Sequence, residues 1–210
     1  ETVGDHPLYL ATKISPTTPA DQVPALLSRS LERLRRDRVD LVQLHGDSYT
    51  AEQVGRMLGP GGVVEGLAAA RDEGLIDAVG FTSEDTNDSV YRLIRSGAFD
   101  TVQLCYNLIF QHPYDPSRPD GSMLAAEQHE LGIVTMRAST SGIFQHWIQA
   151  VNPGNTFDYT PALIQFVLSN PLIDVALVGM RTPADVRADL ALVADTSGRV
   201  DLDRLHNRYV

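Results

Sequence analysis

"LYLATK" (residues 8–13) and "DLVQLH" (residues 40–45) decide how this chain folds. Each is a short apolar run closing on an ionisable side chain, Lys13 in one and His45 in the other. A strand covered on both faces has no place for a charge in its middle, but its end can open onto a site. Two strands that each deliver such a residue at the C-terminal end point to one shared arrangement.

Similar runs follow at "IDAVGF" (76–81), "TVQLCY" (101–106), "GIVTMR" (132–137) and "DVALVG" (174–179), after strands expected at 8–12 and 41–44. They are near-continuous apolar runs, as parallel strands under helices are, rather than clean alternations. Helical patterns lie between them. In "ADQVPALLSRSLERLRR" the apolar positions Val23, Leu26, Leu27, Leu31 and Leu34 recur at threes and fours, with Pro24 in the first turns where it costs least. Further helices are predicted in "VVEGLAAARDEG", "TNDSVYRLIRSG", "SMLAAEQHELG", "PALIQFVLSN" and "PADVRADLALVAD". Thr18-Pro19, Thr160-Pro161 and Thr182-Pro183 each offer a hydroxyl cap and a first-turn proline, and Asp21 and Asp185 strengthen two of these starts. Gly74, Gly97 and Gly132 are expected to end helices.

Alternating strands and helices mean a parallel α/β sheet. No glycine-rich turn follows the first strand and no P-loop occurs, so a doubly wound nucleotide-binding sheet is disfavoured. Polar residues instead end several successive strands: Lys13, His45, Thr82 with Ser83, and Tyr106 with Asn107. A site assembled from many strand ends is the habit of the (β/α)8 barrel, which is the expected fold class. Six of its eight βα units are recognisable. The expectation is therefore one barrel domain over 1–210, N-terminally incomplete by roughly 60 residues at about 30 per unit.

Composition narrows the function. A net charge of −10 disfavours nucleic acid, whose binding needs a basic surface. The basic run "RLRRDR" (33–38) closes a helix, where cations complement the dipole. A single cysteine, Cys105, excludes an internal disulfide and fits a reducing, cytoplasmic setting. No run is long and apolar enough for a membrane span, and "ETVGDHPLYL" is no signal peptide. His6, His112, His129, His146 and His206 show no metal spacing, so no metal is expected. "GPGGVVEGL" (59–67) reads as a turn into a helix rather than a phosphate loop. Trp147 is expected to pack a helix onto the barrel.

In order along the chain, "LATK", "DLVQLH", "VGFTSED", "TVQLCYNL", "GIVTMRAS" and "VALVGMRTPADVRADL" resemble the strand-end segments of the aldo-keto reductase family. The resemblance implies reduction of aldehydes or ketones to alcohols by hydride transfer from NADPH, with NADH possible. It implies Lys13 as the family's lysine, which tunes a tyrosine acid, and His45 as the histidine that orients the carbonyl. The acidic tyrosine and its aspartate belong to the family's first two βα units, and no tyrosine here matches that motif. Tyr49 lies in a loop expected to face the site, but a substitute acid there is the weaker reading.

For the cofactor the resemblance implies Thr82, Ser83, Gln103, Met136, Arg137, Ser139, Gly179, Met180, Arg181 and Asp189. Ser83 stands where an asparagine is usual, Met136 where many members stack a tyrosine, and Asp189 replaces an asparagine. Arg181 is the candidate for the 2′-phosphate, while Asp185 would repel it or act only as a capping acid. Asn107 and Tyr114, in the loop after the fourth strand recognised here, would touch substrate or fix that loop. A small carbonyl substrate is the expected partner, with no nucleic acid or membrane, in a monomer or homo-oligomer. Two alternatives stand beside the active enzyme: a cofactor-binding or sensory protein of this fold without turnover, and a truncated, nonfunctional form.

Overall fold

The computed structural model describes residues 8–114 and 121–206, with the backbone alone of His206. His6, the His206 side chain and the middle of the proline-rich loop therefore lie outside the described residues. The chain forms two compact units, divided between Val102 and Gln103.

In the first unit three parallel strands, β1 (Ala11–Ile14), β2 (Val39–Leu44) and β3 (Ile76–Ser83), pair in sequence order. The register places Lys13 opposite Gln43 and Gln43 opposite Gly80. The predicted strand at 8–12 is shifted: Leu8 and Tyr9 are exposed, and the strand runs on to Ile14. The shift follows Asp40, whose carboxylate accepts the Leu10 N–H at 2.6 Å and holds that residue at the strand's mouth.

Helices α1 (Val23–Leu34), α2 (Ala51–Leu58), α3 (Val63–Asp72) and α4 (Asp88–Ile94) belong to the same unit. Helix α1 buries Val23, Leu27 and Leu31, the stripe its sequence marks, and α3 adds Val63, Leu67 and Ala70. Each of these valine and leucine side chains contributes about 1.5–3 kcal/mol on leaving water. Thr18 does not cap: Pro19 precedes a 3-10 turn (Ala20–Gln22) with no side-chain bond, and Thr18 is buried. The basic run does end α1, with Arg35 in left-handed conformation and Arg36 N–H reaching back to Leu31 O at 3.1 Å. Helix α2 was not expected. It starts on a capping box in which Thr50 accepts Gln53 N–H at 3.2 Å and Gln53 returns a bond of 2.7 Å. The glycine-rich segment turns into α3, as its composition suggests.

The unit boundary falls inside β4 (Thr101–Cys105). In the second unit the end of β4 lies beside β5 (Gly132–Met136), which pairs in parallel with β6 (Val175–Ala176). The last strand is two residues, not the six expected from "DVALVG", and Val175 and Leu177 are exposed. Helices α5 (Ser122–Gln128), α6 (Ile143–Val151), α7 (Thr160–Leu168), α8 (Pro183–Ala194) and α9 (Leu202–His206) complete the unit. Helix α7 carries its core in Leu163, Ile164, Phe166 and Val167, with Phe166 stacked on Tyr106 at 5.7 Å between centroids.

Three further expectations are corrected here. Thr160 is the first residue of α7 rather than its cap, because Asp158 accepts its N–H at 2.9 Å and starts the turn one residue earlier. Helix α5 stops at Gln128, and Glu130, not Gly132, takes the left-handed position; Gly132 opens β5. Trp147 is 55% exposed, on an outward stripe with Ile143 and Val151, so it does not pack α6 inward.

Candidate functional site

In the first unit β1 and β2 bring Lys13 and His45 to neighbouring strand ends. The His45 N–H donates to Ile14 O at 2.8 Å, so its backbone is tied to the residue after Lys13. Both side chains are exposed. Lys13 has no ion-pair partner among the described residues, and partial burial lowers its ammonium below the ordinary lysine value.

The segment after His45 is fixed to the end of β3. The Thr82 hydroxyl accepts the Gly46 N–H at 3.0 Å and donates to Gly46 O at 2.6 Å. The Tyr49 hydroxyl donates to Thr82 O at 2.9 Å. Ser83 Oγ lies 3.2 Å from Asp47 O and 3.1 Å from Asp85 O, and accepts the Asp85 N–H at 3.0 Å. Glu84 N–H adds a bond to Asp47 O at 2.7 Å. Thr82 and Ser83, expected at the cofactor, are thus fully buried with their hydroxyls engaged by this loop. Tyr49 is buried, not facing an open site. Burial, and secondarily the charge of Asp47, pushes its phenol far up, so it holds its proton. Gly46 is required there: a Cβ would sit 2.3 Å from Tyr49 Oη. Sequence patterning missed Tyr49 as a loop anchor; the glycine after a strand-ending histidine was the available signal.

In the second unit Gln103 is buried beside Met136, its Nε2 lying 3.2 Å from Sδ. Its Oε1 is buried with no partner. A buried acceptor left without a partner, here in the middle of β4, suits the N–H groups of a carboxamide and so fits a nicotinamide. Asn107 is wholly buried. Its Oδ1 accepts Ile109 and Phe110 N–H groups at 2.9 and 3.0 Å, and its Nδ2 donates to Arg137 O at 3.0 Å. It has the loop-fixing arrangement rather than an open face. Tyr114 is half-buried, and burial, with the charge of Asp203, raises its phenol.

After β5 the backbone is unusual. Arg137, Thr140, Ser141 and Gly142 all have positive φ, between 53° and 80°. Non-glycine residues seldom adopt that conformation, and the turn closes on itself: Thr140 N–H donates to Arg137 O at 2.7 Å and Gly142 N–H to Ser139 O at 3.1 Å. Ser139 is half-buried within this turn. The segment suits a phosphate path, with the Arg137 side chain exposed beside it.

At the start of α8, Gly179, Met180 and Arg181 are exposed and Asp189 is half-buried. Asp185 is the capping-box acid: its carboxylate accepts Arg181 and Thr182 N–H at 2.9 and 2.8 Å, and those bonds hold it below the usual carboxylate range. With Asp185 directed at the helix start, Arg181 is the charged side chain left at the position expected for a phosphate. Among the described residues no group of three acidic, histidine or cysteine side chains is arranged to hold a metal, and no helix is long and apolar enough to cross a membrane.

The family model described as the aldo/keto reductase family matches residues 6–176. No curated protein matches the chain. Among solved structures, an aldo-keto reductase from Bacillus halodurans in its holo form shares 19% identity at a TM-score of 0.70, over 95% of this chain and 70% of that one. A candidate aldo-keto reductase from Pseudomonas aeruginosa shares 26% at 0.65, over 91% and 69%. An aldo/keto reductase from Klebsiella pneumoniae, solved with NADP and acetate, shares 22% at 0.65, over 95% and 70%. The first and third of these likenesses concern the fold alone.

Proposed function

The chain belongs to the aldo/keto reductase family, with that family's α/β barrel class of fold, and from this premise we propose that it reduces aldehydes or ketones with NADPH. The observation that carries the reading is the pair at the ends of β1 and β2: a lysine with no ion-pair partner among the described residues, and a histidine whose N–H is bonded to the carbonyl of Ile14, the residue after that lysine. NADPH supplies the hydride when bound, and a proton must reach the carbonyl oxygen in the same reaction. His45 donates a hydrogen bond to that oxygen and fixes the carbonyl's direction. Lys13, with a weakened hold on its own proton, lowers the pKa of an acid beside it by its positive charge.

Gln103 accepts from the nicotinamide carboxamide through its open Oε1, while Met136 packs beside it. The Ser139 hydroxyl, in the turn after β5, takes the pyrophosphate, with Arg137 adding charge. Arg181 takes the 2′-phosphate; Gly179 and Met180 lead the chain to it, and Asp189 accepts from the adenine end. Binding of NADP by the Klebsiella pneumoniae relative supports this choice.

The test is NADPH consumption with a panel of aldehydes. In a protein that also carries the family's tyrosine acid and aspartate, turnover is expected, and Lys13→Met or His45→Ala should lower kcat on the order of 10²-fold or more. Unchanged turnover in both variants removes them from the mechanism. Arg181→Ala should weaken NADPH more than NADH; equal weakening argues against a phosphate contact.

A second reading is a cofactor-binding protein without turnover. It is favoured by Ser83, whose hydroxyl is engaged by the loop backbone, and by Tyr49, whose phenol is buried. Tight NADPH binding with no consumption on any carbonyl would select it.

A further inference from the structure

The loop that begins at His45 is held by more side-chain bonds than a surface turn needs. Thr82 grips both polar groups of Gly46, accepting its N–H at 3.0 Å and donating to its carbonyl at 2.6 Å. Its own carbonyl receives the Tyr49 hydroxyl at 2.9 Å. The bonds therefore form a closed circuit from Gly46 to Thr82, to Tyr49, and back along four residues of chain. Thr82 is 1% and Tyr49 2% exposed, so an unmade bond would leave a buried hydroxyl unsatisfied. The tyrosine ring lies where a Gly46 side chain would be, and Phe81 meets it edge-on at 6.4 Å between centroids. On the other side, His45 N–H is held by Ile14 O at 2.8 Å. The histidine residue itself is exposed, and its imidazole has no hydrogen-bond partner among the described residues.

His45 is thus an exposed imidazole on a backbone fixed on both flanks. A loop that merely connected β2 to α2 would not need a buried threonine to take both backbone polar groups of one residue, and so to fix the two peptide units on either side of it. We propose that Thr82 is a positioning residue for His45, with Tyr49 as its brace, setting the imidazole's direction through the Gly46 backbone. This assigns the threonine to the carbonyl-orienting histidine rather than to the cofactor. It rests on the reductase reading for its effect on turnover, though not for its effect on the histidine itself.

Two readouts are needed, taken on the whole protein at one fixed pH. The first is the His45 imidazole resonance in ¹⁵N-histidine-labelled protein, assigned by its loss in His45→Ala. The second is kcat and KM with an aldehyde and NADPH. Thr82→Val should shift the resonance and lower kcat on the order of 10-fold with little change in KM, since small misplacements of a reacting group cost rate rather than affinity. Thr82→Ser, which keeps the hydroxyl, should restore both. A folded Thr82→Val whose His45 resonance stays in place overturns the proposal, and so does a failure of Thr82→Ser to restore it. A shifted resonance with unchanged kcat would also defeat it, by showing that the direction of the imidazole does not matter to turnover. If Thr82→Val does not fold, Tyr49→Phe decides: it keeps the ring and removes only the bond to Thr82. The His45 resonance should then move while the circular dichroism spectrum does not; an unmoved resonance refutes the clamp. A wild-type protein that turns over no carbonyl would end the reductase reading, while the resonance still tests the clamp.

Discussion

Lys13 is the sole lysine in a sequence that otherwise uses sixteen arginines. An arginine at that place could never give up its proton, and its planar fork would seek a bidentate partner. A lysine can be tuned, and burial without a counter-ion lowers its pKa. The amine should therefore titrate below the ordinary lysine range, checked by ¹³C-methylation of the protein, in which only Lys13 and the α-amino group respond. A depressed basic group means that the unfolded chain binds more protons between the two pKa values. Its contribution to stability should accordingly rise with pH across that window. Gly46 gives a second test. Gly46→Ala forces a methyl into the Tyr49 phenol and should cost about 1–3 kcal/mol, seen as a lower denaturation midpoint. Lys13 and His45 were legible in the sequence because each ends an apolar run. Thr82 and Tyr49 were not legible as a clamp. Their contacts depend on the register that sets β2 beside β3, which no local pattern encodes.

At the scale of elements, the strands of the first unit and the long amphipathic helices could be read from periodicity, but their ends often could not. Three Thr-Pro pairs look alike in sequence, and in only one does the threonine hydroxyl cap a helix. Thr182 accepts Asp185 N–H at 3.2 Å, whereas Thr160 is already inside α7. Thr182→Ala should thus cost about 1 kcal/mol in unfolding free energy, and Thr160→Ala only a few tenths. Reversal of that order in denaturant titrations would contradict the assignment. Helix α2 escaped notice because it has only two buried apolar side chains, Val54 and Met57, too few to show a period. Its Thr50–Gln53 box was the readable signal. Strand β6 failed for the opposite reason: six residues of strand-like composition yield only two that pair, and several of the rest are exposed.

For the whole molecule, buried phenols set a limit on the alkaline side. Tyr106 in the second unit is pushed up to about 12 by burial, with Asn170 drawing it slightly back, and Tyr49 in the first is raised further. Unfolded tyrosines ionise near 10, so above that pH the unfolded chain sheds protons that the folded one retains. Stability supplied by these two phenols is complete below pH 10 and should fall steadily as pH rises through the folded values. Chemical denaturation midpoints from pH 9 to 12 should decline, and Tyr106→Phe should flatten part of that decline.

One feature of the first unit bears on how the protein is made. Its strands pair in the order in which they occur along the chain, each laid against the one before it. Every pairing then closes over a single intervening crossover, so the entropy lost at each step is that of one modest loop rather than of a distant contact. During synthesis β1 emerges before β2 and β2 before β3, so each waits only for the strand that follows it. The growing edge always receives the next segment to appear, so translation itself supplies the order of assembly that shields each parallel edge from a neighbouring chain.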